Sequence, residues 1–136
     1  AMVIPSLINK FVNSKKKVVD VWGNGSPIRD FIYSKDVAVA MIKLMKIAPK
    51  HPVNIGSGKG FSIKEVVNII NGYFDNKFEI NWDKSKPSGD RMRILDVKFL
   101  RSLRIRQKTS LKIGIYETIE WYLRNRKKQD RFNIFK

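Results

Sequence analysis

Helical and extended segments alternate along this chain, and the alternation indicates a mixed α/β fold. The clearest helix start is Ser62-x-x-Glu65, which has the form of a capping box. Apolar residues follow it at helical spacing: Ile63, Val66, Val67, Ile70 and Phe74. With Ser34 and either Thr109 or Ser110 as further N-caps, the same reasoning predicts five helices, over 3–12, 35–48, 63–74, 97–103 and 111–127.

The segments between these helices predict short strands over 18–22, 28–33, 53–55 and 78–82, with an extended piece over 93–96. Turn residues at 23–27 separate the first two strands. We therefore expect a hairpin in which Trp22 and Arg29 face each other across the turn. So few short strands make a poor sheet on their own, which indicates that the chain is part of a larger fold.

Composition removes several kinds of chemistry. The 136 residues include no cysteine and one histidine, His51, which excludes disulfides, thiol catalysis, a Ser/His/Asp triad and multi-histidine metal sites. No apolar run is long enough to cross a membrane and no secretory signal is evident, so a cytoplasmic protein with no membrane partner is expected. The 28 basic and 12 acidic side chains give a net charge of +16, which attracts polyanions such as phosphorylated metabolites or nucleic acid.

Two motifs have the residue pattern of functional sites, but we interpret both as structural. The glycine-rich segment 56–60 precedes a helix, as in phosphate-binding loops, yet it lacks the glycine spacing of either nucleotide fingerprint. A strand-to-helix turn is the favoured interpretation, with a phosphate cradle as the alternative. Tyr73-x-x-x-Lys77 has the spelling of a catalytic Tyr–Lys pair, but it follows Gly72 at a helix end, so we expect no catalytic role.

Eight short motifs occur in the order found in one family of enzymes. They are Val3-Ile4-Pro5-x-Leu7-Ile8, the stretch from Val21-Trp22-Gly23 to Asp36-Val37-Ala38, Asn54-Ile55-Gly56-x-Gly58, Ser62-Ile63-x-Glu65, Asp83-x-Ser85-Lys86-Pro87-x-Gly89, Leu95-Asp96-Val97, Thr109-Ser110-Leu111-x-x-Gly114-Ile115 and Trp121-Tyr122. Together they resemble the C-terminal part of extended short-chain dehydrogenases that act on nucleotide sugars, the NAD-dependent epimerase/dehydratase family. GDP-L-fucose synthases and their relatives are the most similar group. Ser88 stands where their loop commonly carries Asp, which leaves the wider group of epimerases, dehydratases and reductases open.

The resemblance implies that residues 1–136 form one nucleotide-sugar-binding domain of a Rossmann-type enzyme. The N-terminal Rossmann domain is absent from the sequence, as is its glycine fingerprint. The resemblance assigns Arg29 to the diphosphate or ribose, Trp22 to the nucleotide pocket and Arg93 to a basic position near the phosphates. NAD or NADP is the implied cofactor of the whole enzyme, whereas this chain is expected to bind no cofactor and to be inactive alone.

Two other functions remain open at this point. A basic nucleic-acid-binding module would explain the charge, although we do not expect nucleic acid to be the partner, and a truncated gene product would have no activity. Loss of a cofactor domain would expose apolar surface over 3–11 and 31–41, so self-association is expected.

Overall fold

The computed structural model describes residues 2–86 and 89–126, and Ser88 lies outside them. The described residues form five helices and five short strands, which confirms the predicted mixed α/β class. The helices are α1 (Val3–Asn13), α2 (Ser34–Ile47), α3 (Ile63–Tyr73), α4 (Lys98–Ser102) and α5 (Leu111–Asn125). The strands are β1 (Val18–Trp22), β2 (Ile28–Asp30), β3 (Gly60–Ser62), β4 (Glu79–Asp83) and β5 (Met92–Arg93).

The strands form two separate small sheets. β1 pairs in parallel with β4, whereas β2 lies between antiparallel β3 and parallel β5. The hairpin predicted between the first two strands is therefore wrong. The backbone N–H groups of Ile63 and Lys64 donate to the carbonyls of Pro27 and Gly25, so the connecting segment is tied to the start of α3 instead.

The larger of two cores lies where α1, α3 and α5 pack together and against the β1–β4 sheet. Its ten buried residues are Leu7, Ile8, Phe11, Val19, Val21, Val66, Val67, Ile70, Ile115 and Ile119. Helical spacing predicts eight of them, which are Leu7, Ile8 and Phe11 in α1, Val66, Val67 and Ile70 in α3, and Ile115 and Ile119 in α5. The predicted capping box is also confirmed, because Ser62 Oγ accepts from the Glu65 N–H while the Glu65 carboxylate accepts from the Ser62 N–H.

The smaller core contains four buried residues, Ala40, Val97, Leu100 and Ile105. Three predictions are wrong in this part of the chain. Residues 53–55 are not a strand, since no described strand lies beside them, and the strand predicted over 28–33 ends at Asp30. Ser34 is the first helical residue of α2 and does not cap it. Helical spacing predicts a buried stripe in α2 made of Val37, Met41, Leu44 and Met45, but Met41 and Met45 are exposed.

Candidate functional site: paired arginines beside an apolar cleft

Strand pairing brings two predicted site residues together. Arg29 in β2 and Arg93 in β5 are direct neighbours in the parallel register. Opposite residues in paired strands project their side chains to the same face of a sheet, so the two guanidinium groups belong to one surface.

Asp90 holds both arginines. Arg29 Nη1 donates to the backbone carbonyls of Ile28 and Asp90, each at 2.8 Å, while Arg93 forms an ion pair with the Asp90 carboxylate. Gly89 precedes Asp90 at a φ of +74°, and a Cβ there would lie 3.3 Å from Arg29 Nη2. Glycine therefore suits both the turn and the close approach of the guanidinium. The half-buried Arg29 is the more fixed of the two, because the Arg93 side chain is 73% exposed.

Trp22 is placed differently from the prediction. It ends β1, in the other sheet from Arg29, and its indole is 62% exposed. The Lys10 ammonium lies 5.6 Å from the ring centroid and donates to the Asp20 carbonyl. Lys10 therefore supplies a cation–π contact, and Trp22 does not line the cleft described next.

An apolar cleft of about 550 Å³ is lined by Arg29 and Asp30, by residues at the start of α1 and by residues at the start of α5. Residues 31–33 line it together with Leu111, Gly114 and Ile115. A Cβ on Gly114 would meet the Tyr33 ring at 3.3 Å, so glycine lets that ring pack against α5. The lining is largely apolar, and its one cation, Arg29, is available to a ligand while the Asp30 carboxylate accepts from Ser57, Gly58 and Leu95. Such a lining suits a ligand that carries an anionic group. Phe31 and Tyr33 belong to one of the motifs recognised in the sequence, but no role was predicted for them.

The glycine-rich loop forms a turn that Asp30 holds, but the predicted strand-to-helix turn is only partly correct, because residues 53–55 are not a strand and β3 stands between the loop and α3. One Asp30 oxygen accepts from the Ser57 N–H and hydroxyl at 2.9 and 2.5 Å, and the other accepts from the Gly58 N–H at 2.9 Å and the Leu95 N–H at 3.3 Å. The loop amides that a phosphate would need are therefore bound to a carboxylate of the chain itself. Asp30 was not recognised from sequence, because a carboxylate between Arg and Phe has no distinctive spacing.

Tyr73 and Lys77 have other partners, in agreement with the structural interpretation. The Tyr73 hydroxyl donates to the Glu120 carboxylate, and this bond is the largest cause that raises the pKa of Tyr73 to about 12. The Lys77 ammonium lies over the Phe74 and Phe78 rings, 5.3 and 5.2 Å from their centroids. Proton transfer near neutral pH needs a tyrosine pKa that is lowered, so this tyrosine is unsuited to it.

Within residues 2–86 and 89–126, no group of three or more His, Asp or Glu side chains is arranged to hold a metal ion. No helix in this part of the chain is long and apolar enough to span a membrane.

Comparison with known proteins confirms the predicted resemblance. Residues 1–56 match the model of the NAD dependent epimerase/dehydratase family, so the class that the chain resembles is the extended short-chain dehydrogenases. Within that class the similarity is to GDP-L-fucose synthases. The chain is 38% identical over 127 residues to putative GDP-L-fucose synthase 2 of Arabidopsis thaliana. The aligned region covers 90% of this chain and 39% of the relative. GDP-L-fucose synthase of Escherichia coli is 33% identical over 96% of this chain and 44% of the relative.

Comparison with solved structures shows the same similarity to GDP-L-fucose synthases. A crystal structure of a GDP-L-fucose synthetase from Naegleria fowleri superposes with a TM-score of 0.83 at 27% identity, covering 93% of this chain and 40% of that one. The same protein has also been solved bound to NADP. The chain thus spans about 40% of the length of the relatives it matches.

Proposed function

We propose that this chain binds the diphosphate group of a nucleotide sugar for an NAD(P)-dependent epimerase, dehydratase or reductase. Arg29 and Arg93 bind the phosphates, and the exposed indole of Trp22 contacts the nucleotide outside the apolar cleft. The observation that carries the proposal is the β2–β5 pairing, which sets Arg93 beside Arg29, a residue that lines the apolar cleft. The similarity to GDP-L-fucose synthases supports the choice of ligand.

The charges of the site suit a diphosphate. Two guanidinium groups and one Asp90 carboxylate leave one net positive charge, and each guanidinium can donate two parallel hydrogen bonds to phosphate oxygens. Arg29 is preorganised by backbone carbonyls, so little side-chain entropy is lost when it binds. The Arg93–Asp90 pair is well exposed, and such pairs contribute only about 0–1 kcal/mol, so exchanging Asp90 for a phosphate costs little.

Redox chemistry in this proposal requires a second unit. Tyr33 lines the arginine cleft with Lys35 over its ring, but its hydroxyl donates to Glu117, and burial together with this bond raises the pKa of Tyr33. Tyr73 is likewise bound to Glu120, so neither tyrosine is suited to proton transfer near neutral pH. We therefore propose that a dinucleotide-binding domain supplies the cofactor and the catalytic tyrosine and lysine. The present chain alone binds no dinucleotide and transfers no hydride.

The surface for that domain is proposed to be the solvent face of α2. Ala38, Met41, Ile42 and Met45 recur at helical spacing and are all exposed, and we call these four residues the α2 strip. An exposed apolar stripe of this kind marks a binding surface. It overlaps the expected surface over 31–41 and extends beyond it, whereas Leu7, Ile8 and Phe11 of α1 are buried in this chain's own core.

The test is a calorimetric titration of the 136-residue chain with GDP-L-fucose, GDP and a 12-mer oligonucleotide at about 50 and 200 mM salt. Saturable binding of the two diphosphates is expected, with Arg93→Ala and Arg29→Lys each weakening it roughly tenfold or more through the lost charge-assisted bonds. Arg93→Ala is the cleaner variant, because its exposed side chain supports no other element. Lys43→Ala, an exposed cation on α2, is the matched control and should bind as the parent does.

Two results would contradict the proposal. One is equal weakening by Lys43→Ala, which would show binding to the general positive field. The other is tighter, steeply salt-dependent binding of the oligonucleotide, which is the behaviour of a nucleic-acid-binding module.

A further inference from the structure

A second concave site lies at the glycine-rich loop. It has a volume of about 320 Å³ and is enclosed by the loop, by α4 and by the segment that follows α4. Its lining residues are Gly56, Ser57, Lys59, Arg101, Ile105, Arg106 and Gln107, and we call this site the basic pocket. It shares no residue with the arginine cleft.

The lining of the basic pocket carries positive charge only. Lys59, Arg101 and Arg106 contribute three cations, and no lining residue is acidic. Over residues 2–86 and 89–126 none of these three forms an ion pair, whereas Lys35, Arg93 and Lys98 each pair with a carboxylate. A concavity lined by one sign of charge focuses the field and raises the local concentration of the opposite ion.

Several contacts fix the walls of the pocket. Arg101 Nη2 donates to the Ser57 carbonyl at 3.1 Å, which orients a guanidinium that has further N–H groups for a ligand. From the other side, Asp30 holds the Ser57 and Gly58 amides. Ser57 and Ile105 are buried, at 5% and 3% exposure. The cations are therefore presented on a prearranged frame, and an anion would be bound by side chains because the Ser57 and Gly58 amides are occupied.

We propose that the basic pocket binds the terminal phosphate of a phosphate monoester. A monoester is close to doubly charged at neutral pH and offers three strong acceptor oxygens, which matches a lining of three cations and the Gln107 amide. A polynucleotide would need a groove that tracks its backbone over several nucleotides, whereas this is a single small concavity. The proposal is independent of the function proposed for Arg29 and Arg93.

The probe is ribose 5-phosphate, titrated into the ¹⁵N-labelled 136-residue chain and followed by amide chemical shifts, with ribose alone as the blank. Saturable shifts at Ser57, Lys59 and Gln107 are expected, with none from ribose. The double variant Lys59→Gln, Arg106→Gln should weaken binding roughly tenfold or more, since it removes two charge-assisted donors. The matched control, Lys64→Gln with Arg126→Gln, exchanges two exposed cations elsewhere and should leave binding unchanged.

Arg93→Ala distinguishes phosphate binding at the basic pocket from diphosphate binding at Arg29 and Arg93. Ribose 5-phosphate binding at the basic pocket should survive that substitution, whether or not GDP-L-fucose binding does. The proposal is overturned if the shifts are linear and spread over the lysines generally, or if the control weakens binding as much as the double variant. It is also overturned if an oligonucleotide without terminal phosphates saturates the same amides more tightly.

Discussion

The two cores of this chain differ in how completely they are covered. The larger one buries ten residues among three helices and a parallel strand pair, while the smaller one buries four beside α2 and α4. The contrast is clearest between two helices with similar patterns. Apolar residues at helical spacing in α3 are buried, with Val66, Val67 and Ile70 each at 0% exposure. The α2 strip has the same spacing and faces solvent.

The difference shows that an amphipathic pattern identifies a surface to be covered without identifying what covers it. In α3 the covering elements are α1 and α5 of the same chain. For the α2 strip, no described residue buries the apolar face. The larger core is therefore expected to determine global stability, and the smaller region to open by local unfolding.

The largest expected effect comes from Ile70→Ala in the larger core. Because the side chain is fully buried, the lost transfer energy and the cavity should lower the free energy of unfolding by about 2–5 kcal/mol. Leu100→Ala, in the smaller core, should instead speed hydrogen exchange in α4 while α3 and α5 keep their protection. Urea denaturation and native-state exchange measure the two quantities. If Leu100→Ala reduced protection in α3 as much as Ile70→Ala does, the two regions would be one cooperative unit.

The next largest effect is expected from Asp30→Asn. Its carboxylate accepts from Ser57, Gly58 and Leu95, and an amide NH₂ in place of one oxygen would face donors instead. Hydrogen bonds to charged groups contribute about 1.5–3 kcal/mol each, so a loss of about 3 kcal/mol from the smaller region is expected. Asp20→Asn is the control, since among the described residues its exposed carboxylate accepts from Asn81 alone. Equal stability of the two variants in urea would contradict the role assigned to Asp30.

The N-termini of α3 and α2 provide a third test, with a smaller expected effect. Ser62→Ala removes the side-chain bond to the Glu65 N–H and should cost about 1 kcal/mol. Ser34→Ala should cost little, because Ser34 is inside α2 and makes no cap bond. Thermal denaturation of both variants measures the difference. A larger loss from Ser34→Ala would mean that α2 is capped in solution as the sequence predicted.

The smallest effect on stability is expected for Met45→Gln in the α2 strip. The side chain is 79% exposed, so the free energy of unfolding should change by no more than about 0.5 kcal/mol. The same substitution should reduce self-association in sedimentation experiments at high protein concentration, because it removes apolar surface from the proposed contact. A chain that stays monomeric at high concentration before the substitution would contradict the expected self-association.

The sequence predicted best where structure depends on local pattern. The capping box, the Ser110 cap, and the buried faces of α1, α3 and α5 follow from residue spacing and short-range hydrogen bonds. Errors occurred where a segment needs a distant partner. Residues 53–55 have β-branched character but no neighbouring strand in the described chain, and β1 pairs with β4 across some sixty positions instead of with β2.

For the candidate site, too, local patterns were predicted and long-range contacts were not. Arg29 and Arg93 were selected by resemblance, but their contact depends on a parallel pairing that no local pattern encodes. Trp22 was expected opposite Arg29 because a glycine turn separates them, and tertiary bonds from α3 to the turn override that expectation. Asp30 and Tyr33 act through contacts with residues far along the chain, to Ser57 and to Gly114, so single-sequence reasoning gave no signal for them.

The central claim is that Arg29 and Arg93 together bind a nucleotide-sugar diphosphate. Its most direct test is a double-mutant cycle in which GDP-L-fucose affinity is measured for the parent, Arg93→Ala, Arg29→Lys and the double variant. Two guanidiniums on one diphosphate predict a coupling energy above about 0.5 kcal/mol, the level at which contacting residues depart from additivity. Strictly additive effects, or affinities that neither substitution changes, would contradict the account.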